Sequence, residues 1–289
     1  MKTVRPPVLG GSWYPADAAE LAASVDAWLA AADPARRPAG RPWLAVSPHA
    51  GHAFSGPVAG KLFGLLREDR PGTIFLLAPN HRMPLQDIAL SGYEAFGTPL
   101  GPVPVDRAAC DQLAARDGFQ TQDEAHKMEH AVEILLPFIQ RTWPTDPPPI
   151  VPMLVPTSEP AVLEKAARAL REVAGREDLL LISSDFTHYG PAFGYVPFTE
   201  DIPMALERLD AGAILKILAG DAPGLREYGQ ETGITMCGLP ACCVALGEGP
   251  PPGYEAALLD YARSGDREDD YSLSVSYAAI LMCRGEDKA

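Results

Sequence analysis

The sequence predicts an α/β fold: a single domain, residues 1–289, with a largely parallel or mixed central sheet flanked by helices on both faces. Three observations carry that expectation. Four short apolar runs, "WLAVS", "TIFLLAP", "IVPMLV" and "LLLIS", are bounded by turn residues, the pattern of strands buried on both sides. Segments with apolar residues at helical spacing lie between them, as crossovers in a parallel sheet require. An apolar share of 47% over 289 residues is enough to fill a core of that size.

The elements follow in order. "AAELAASVDAWLAAA" places Leu21, Val25, Trp28 and Leu29 on one helical face, with Asp17 as its N-cap. Residues 43–49 read as a strand, "PVAGKLFGLLRED" as a helix beginning at Pro57, where a missing N–H costs nothing, and 73–81 as a second strand. "DIALSGYEAFGTPLGPVPVD" alternates β-prone runs with Gly and Pro and predicts a hairpin-like excursion before a helix at 107–117. "KMEHAVEILLPFIQ" reads as helical, "IVPMLV" as a strand, "PAVLEKAARALREVAG" as a helix and "DLLLISSDF" as a strand. Helices at 201–218 and 222–230, the segment "MCGLPACCVAL" and two late strands, "YEAALLDYARSG" and "SVSYAAILM", complete the chain. The Pro-rich "TDPPP" and "GPPPG" read as stiff surface loops.

A net charge of −14 and an isoelectric point near 4.8 repel phosphate backbones and anionic membranes. The densest basic stretch, "ARRPAGRP", is a short Pro/Gly-rich linker, so neither a nucleic-acid nor a membrane partner is expected. The first residues lack the apolar core of a signal peptide, and no run reaches the roughly 18 apolar residues that span a bilayer. The expected location is the cytoplasm. Five cysteines without CxxC spacing argue against a disulfide scaffold or a structural zinc knuckle.

His49 follows the first strand and His81 ends the second. In a parallel sheet both project from the carboxyl edge, where open α/β sheets place their sites. Either alone can be a strand-end cap; two at equivalent ends point to a shared site. "SSDFTHYG" repeats the pattern at a third strand. There Asp185 is a candidate to orient an imidazole or bind metal, and His188 is a candidate acid or base. An Asx-turn accounts for Asp185 equally well. Cys237 precedes Gly238 and Pro240 at the start of a predicted helix, whose dipole favours a thiolate. Cys242 and Cys243 fall in an apolar run and read as small core residues. His126, His130 and Glu133 share one face if the helix already runs at His126; the spacing is not HExxH, and His130 and Glu133 are expected to line a shared pocket.

Taken together, "GSWYP", "SPHAG" with "FSG", "LLAPNH", "MEHAVEILLPF", "SSDFTHYG", "TMCG", "LDYARSGD" and "SVSYAA" resemble the Memo family, also called AmmeMemoRadiSam system protein B. The matches run in order across nearly the whole chain. The resemblance implies a fold similar to the class III extradiol dioxygenases. It also implies that His49, His81 and Cys237 are metal ligands, that Asp185 and His188 are the family's pocket Asp and His, and that His130 and Glu133 belong to its "EHxxE" helix. A functional link to radical SAM and AMMECR1-type proteins is implied by the family name. Three positions differ from the usual pattern: His52 stands where Tyr is usual, Arg82 where a second His often follows, and Leu239 where a basic residue follows "CG". His52 is accordingly expected to line the pocket, and Gly51 and Gly56 to let the backbone turn tightly there.

Extradiol ring cleavage uses two imidazoles and a carboxylate on iron. With a thiolate in place of the carboxylate, the site is softer, suits iron or copper with zinc possible, and is itself oxidisable. The leading expectation is a redox metalloprotein with iron or copper on His49, His81 and Cys237, His188 and Asp185 near the chemistry, and no organic cofactor. The alternative is a binding or scaffold protein that uses the cleft to hold a small molecule, a peptide or a partner. Metal-assisted hydrolysis fits a thiolate less well.

Overall fold

The computed structural model describes residues 3–156, 159–267 and 270–285. In chain order the strands are β1 (Val4–Arg5), β2 (Arg41–Ser47), β3 (Ile74–Pro79), β4 (Ile88–Leu90), β5 (Ala95–Thr98), β6 (Gly101–Pro104), β7 (Phe119–Thr121), β8 (Ile150–Val155), β9 (Leu179–Ser183), β10 (His188–Tyr189), β11 (Glu255–Arg263) and β12 (Ser274–Arg284). The helices are α1 (Ala18–Ala30), α2 (His52–Leu65), α3 (Arg107–Ala114), α4 (Asp123–Lys127), α5 (His130–Glu133), α6 (Leu136–Thr142), α7 (Pro160–Val173), α8 (Ile202–Leu218), α9 (Ala222–Thr232) and α10 (Leu239–Leu246).

The main sheet runs β10-β12-β2-β9-β3-β8-β4-β7, with β11 on the free side of β12. Its centre, β2, β9, β3 and β8, is parallel; β12 and β4 join it antiparallel, so the sheet is mixed and flanked by helices. All six residues of β3 and of β8 are buried, which explains why these strands read as unbroken apolar runs. The expected excursion after β3 is present: β5 and β6 pair antiparallel, and β1 adds to β5 in a separate small sheet. Among the described residues no helix is long and apolar enough to cross a membrane.

Asp17 caps α1, its Oδ1 accepting from the Glu20 N–H at 2.9 Å, and Leu21, Val25 and Leu29 are buried. Helix α2 departs from expectation. It begins at His52, so Pro57 lies inside it. A proline at that point cannot donate to the Ala53 carbonyl, the partner an α-helix would use. The carbonyl is satisfied instead by a guanidinium N–H of Arg267, which also lies over the Phe54 ring at 5.5 Å. The glycines expected to shape a turn do other work. Gly51 has φ −52, a value any residue adopts, whereas a Cβ on Gly56 or Gly60 inside α2 would fall 2.7 Å or 2.3 Å from Trp28. These two glycines let α1 and α2 approach closely. Gly60→Ala is therefore expected to cost about 1–3 kcal/mol, the range for overpacking, as a lowered urea midpoint.

The segment expected to be helical from Lys127 is broken into α4, α5 and α6. Glu129 interrupts it: its backbone is extended and its carboxylate accepts from the N–H groups of His130 and Ala131, starting a new helix. His126 and His130 therefore lie on different helices. The His126 Nε2 donates to the Ala89 carbonyl at 3.0 Å inside the core.

Candidate metal centre

His49, at the end of β2, and His81, at the end of β3, meet on the carboxyl edge of the sheet, and α5 brings His130 to them. One ring nitrogen from each of the three lies within 4.8 Å of the others. The rings of His81 and His130 stack with centroids 4.4 Å apart, and His49 stands edge-on to both at 5.4 Å.

The hydrogen bonds fix which nitrogens are free. The Ser183 hydroxyl donates to the Ala131 carbonyl at 2.6 Å, so it accepts from Nδ1–H of His49 at 2.8 Å. His81 Nδ1 faces Glu129 Oε1 at 3.0 Å, and an ionised carboxylate only accepts. Both imidazoles thus carry their proton on Nδ1 and present a lone pair on Nε2, the tautomer a metal ligand needs. His130 Nδ1 is 3.2 Å from the same Glu129 oxygen but is a buried nitrogen without a hydrogen bond.

Burial, then the neighbouring His81, holds the His49 pKa well below its usual value. Burial and His49 push that of His130 down to about 3. Burial opposes ionisation of Glu129, yet the hydrogen bonds from the His81 ring and the His81 N–H bring its carboxyl down to about 2. Neutral buried imidazoles beside an ionised carboxylate form a donor set suited to a divalent cation.

Cys237 precedes α10, with its Sγ 3.3 Å from His49 Nε2 and 3.3 Å from the Asp185 N–H. The close approach requires glycine next in line, since a Cβ on Gly238 would fall 2.3 Å from that of Ser184. Burial, then Asp185, pushes the thiol pKa up. The sulfur touches one imidazole of the cluster and is not part of the three-histidine group.

Asp185 is buried, and its carboxylate accepts from the His49 N–H at 2.8 Å and from the Ala50 N–H. It holds the backbone of His49 and not the imidazole. His188 opens β10. Its Nδ1 lies 3.0 Å from the carbonyls of both Phe186 and Thr235, so Nδ1 carries the proton and Nε2 is left as a base. Both residues border one cleft of about 760 Å³ with the three histidines, Tyr277 and Arg267.

His52 and Glu133, expected at the pocket, lie elsewhere. His52 is 2% exposed among Tyr14, Trp28 and Phe138, with Nε2 donating to the Ile134 carbonyl at 2.9 Å. A helix that starts at His52 turns this side chain into the layer between α1, α2 and α6. Glu133 is fully buried and accepts from Arg5, from the Tyr14 hydroxyl and from the amides of Val8 and Leu9. Arg5 in turn donates to the carbonyls of His126 and Glu129 at 2.9 and 2.8 Å. Sequence reasoning missed Glu129, Ser183 and Arg5. Glu129 stood in plain view in "MEHAVE", but its role depends on the helix break it creates.

Glu129→Gln is expected to weaken metal binding roughly 10- to 100-fold, the usual cost of losing the carboxylate behind a ligand imidazole. Competition against a chelator measures it, and circular dichroism checks that the fold is retained.

A sequence profile described as "Memo-like protein" matches residues 5–281. A MEMO1 family protein of Thermococcus onnurineus is 35% identical over 292 residues, covering 96% of this chain and 99% of that one. A MEMO1 family protein of Methanopyrus kandleri is 33% identical over 294 residues, covering 97% and 99%. The crystal structure of an uncharacterised protein of Escherichia coli K12 shares the fold with a TM-score of 0.53 at 15% identity, covering 84% of this chain and all of that one. With its motifs, its fold and full-length relatives above 30% identity in agreement, the chain belongs to the Memo family.

Proposed function

We propose that the chain is a cytoplasmic metal-binding redox protein that holds iron or copper on His49 and His81, with His130 or Cys237 completing the set. The observation that carries this reading is the cluster of three imidazoles, two of them held on Nδ1 by Ser183 and Glu129, which leaves each Nε2 its lone pair, that of His49 meeting the Cys237 thiol at 3.3 Å. Five free thiols are consistent with a reducing compartment. A redox-active ion held there would supply electron transfer and a Lewis-acid face.

The remaining roles fall to the chain's own residues. His188, with its proton fixed on Nδ1, takes a proton from a bound ligand at Nε2 and returns it. Asp185 keeps the His49 backbone in place and, buried, has its pKa raised by that burial. Trp13 packs its ring 4.5 Å from that of His130, and Phe193 packs 5.1 Å from that of His188, giving these two imidazoles aromatic neighbours.

Metal content after anaerobic purification tests the reading. One iron or copper per chain is expected for the wild type, falling by more than about tenfold in His49→Ala. A sulfur-to-metal absorption band lost in Cys237→Ser assigns the third ligand to the thiolate; loss of metal in His130→Ala with Cys237→Ser unaffected assigns it to the imidazole. Unchanged stoichiometry in all three variants sinks the site.

A further inference from the structure

The cleft over the three histidines has apolar walls. Phe54, Phe193 and Leu273 remain 49%, 39% and 54% exposed around it, and Trp13 lies beside His130. A ligand covered by these side chains has an apolar, preferably aromatic, body. What the cleft offers a polar group on that body depends on its charges. Asp185 spends its carboxylate on backbone amides. Asp266, behind the wall, is held by Arg263 at 3.0 Å and by Tyr271. Asp270, fully exposed at the rim, accepts from the Ser272 N–H at 2.8 Å.

The cation left over is Arg267. It forms no ion pair among the described residues. Its position is set where Pro57, inside α2, leaves the Ala53 carbonyl without its helical donor: one N–H is spent on that carbonyl, the guanidinium rests over Phe54, and its other donors form no hydrogen bond among the described residues. Arg267 and Tyr277 line the same cleft as Asp185, His188 and the three histidines. In a chain of net charge −14, a guanidinium that has no acidic partner among the described residues and lines the cleft of the three histidines is a local exception to the overall field.

We infer that Arg267 anchors the ligand of this cleft, which is a small apolar or aromatic oxyanion, a carboxylate or a phosphate, gripped at its charged end while its body lies toward His49, His81 and His130. The inference rests on reading this cleft as the place where a ligand meets the metal centre, but anion binding at Arg267 does not require the metal.

Benzoate, phenyl phosphate and the neutral benzamide serve as probes, with dissociation constants from NMR titration of the full chain, both metal-free and metal-loaded. At least one oxyanion is expected to bind about tenfold more tightly than benzamide, as a charge-assisted contact allows, and Arg267→Gln is expected to abolish that preference. The tighter of the two oxyanions identifies the group. Asp270→Asn keeps the acceptor for Ser272 and removes a like charge at the rim, so it is expected to tighten oxyanion binding while leaving benzamide unchanged. Preference for the oxyanion in the metal-free protein supports Arg267 even if the metal reading fails. Equal binding of charged and neutral probes in the wild type, or a preference that survives Arg267→Gln, overturns the inference.

Discussion

Glu133→Ala is expected to destabilise the fold by about 3–5 kcal/mol, the cost of leaving a buried charge without its partner. Arg5 and Glu133 are both fully buried and face each other across 128 residues of chain. Removing the carboxylate leaves a guanidinium in the core with only neutral carbonyls, those of Pro6, His126 and Glu129, as acceptors among the described residues, and strips the amides of Val8 and Leu9 of theirs. Glu133→Gln keeps an acceptor for those amides and is expected to fall between the wild type and the alanine variant. Urea unfolding at neutral pH gives the order. A loss near 0.5 kcal/mol for the alanine variant, typical of a surface position, would show that the pair does not carry the local structure. The loss also reaches the metal centre, because Arg5 holds the carbonyl of Glu129, whose carboxylate orients His81 and starts the helix bearing His130. Metal affinity should therefore fall with stability even though neither residue borders the cleft.

That pair also marks how far the sequence can be read. The parallel centre of the sheet was legible because strands buried on both faces appear as unbroken apolar runs, and the turns after β2, β3 and β9 then had to carry the polar residues. This is why His49, His81 and Asp185 stood out, and why they share one edge. The helix over 127–140 was not legible as three pieces: its apolar periodicity continues across Met128 and Glu129, and the break comes from hydrogen bonds that Glu129 makes with His81, 48 residues away. Assigning pocket roles to Glu133 and His52 failed for the same reason, since spacing along a helix says which residues share a face but not what that face meets. Arg5 and Arg267 gave no local signal. Each acts on a partner more than 120 residues distant, and the demand for Arg267 arises from a proline placed inside a helix instead of at its start.

Replacing His52 by phenylalanine is expected to make the fold less sensitive to acid. His52 Nε2 donates to the Ile134 carbonyl, and its other nitrogen, Nδ1, is buried with no partner. A second proton would sit on that nitrogen with nothing to accept it, so burial holds the pKa down to about 4. The unfolded chain, with an ordinary histidine, takes up the proton first as pH falls below about 6.5. Stability from a neutral His52 is thus fully present above about pH 6.5 and drains away as pH falls toward 4, by an amount on the order of 3 kcal/mol. Phenylalanine keeps a ring among Tyr14, Trp28 and Phe138 and gives up the bond to Ile134, costing about 1 kcal/mol at pH 7. The two proteins should converge as pH is lowered and cross before pH 4. Asp185 and Asp210, whose pKa values burial raises, contribute stability of the opposite sign over acidic pH, but they are the same in both chains and cancel in the difference. Urea midpoints measured for both proteins at pH 7, 5.5 and 4 decide the matter: parallel curves would mean that His52 is protonated in the fold as readily as in the unfolded chain.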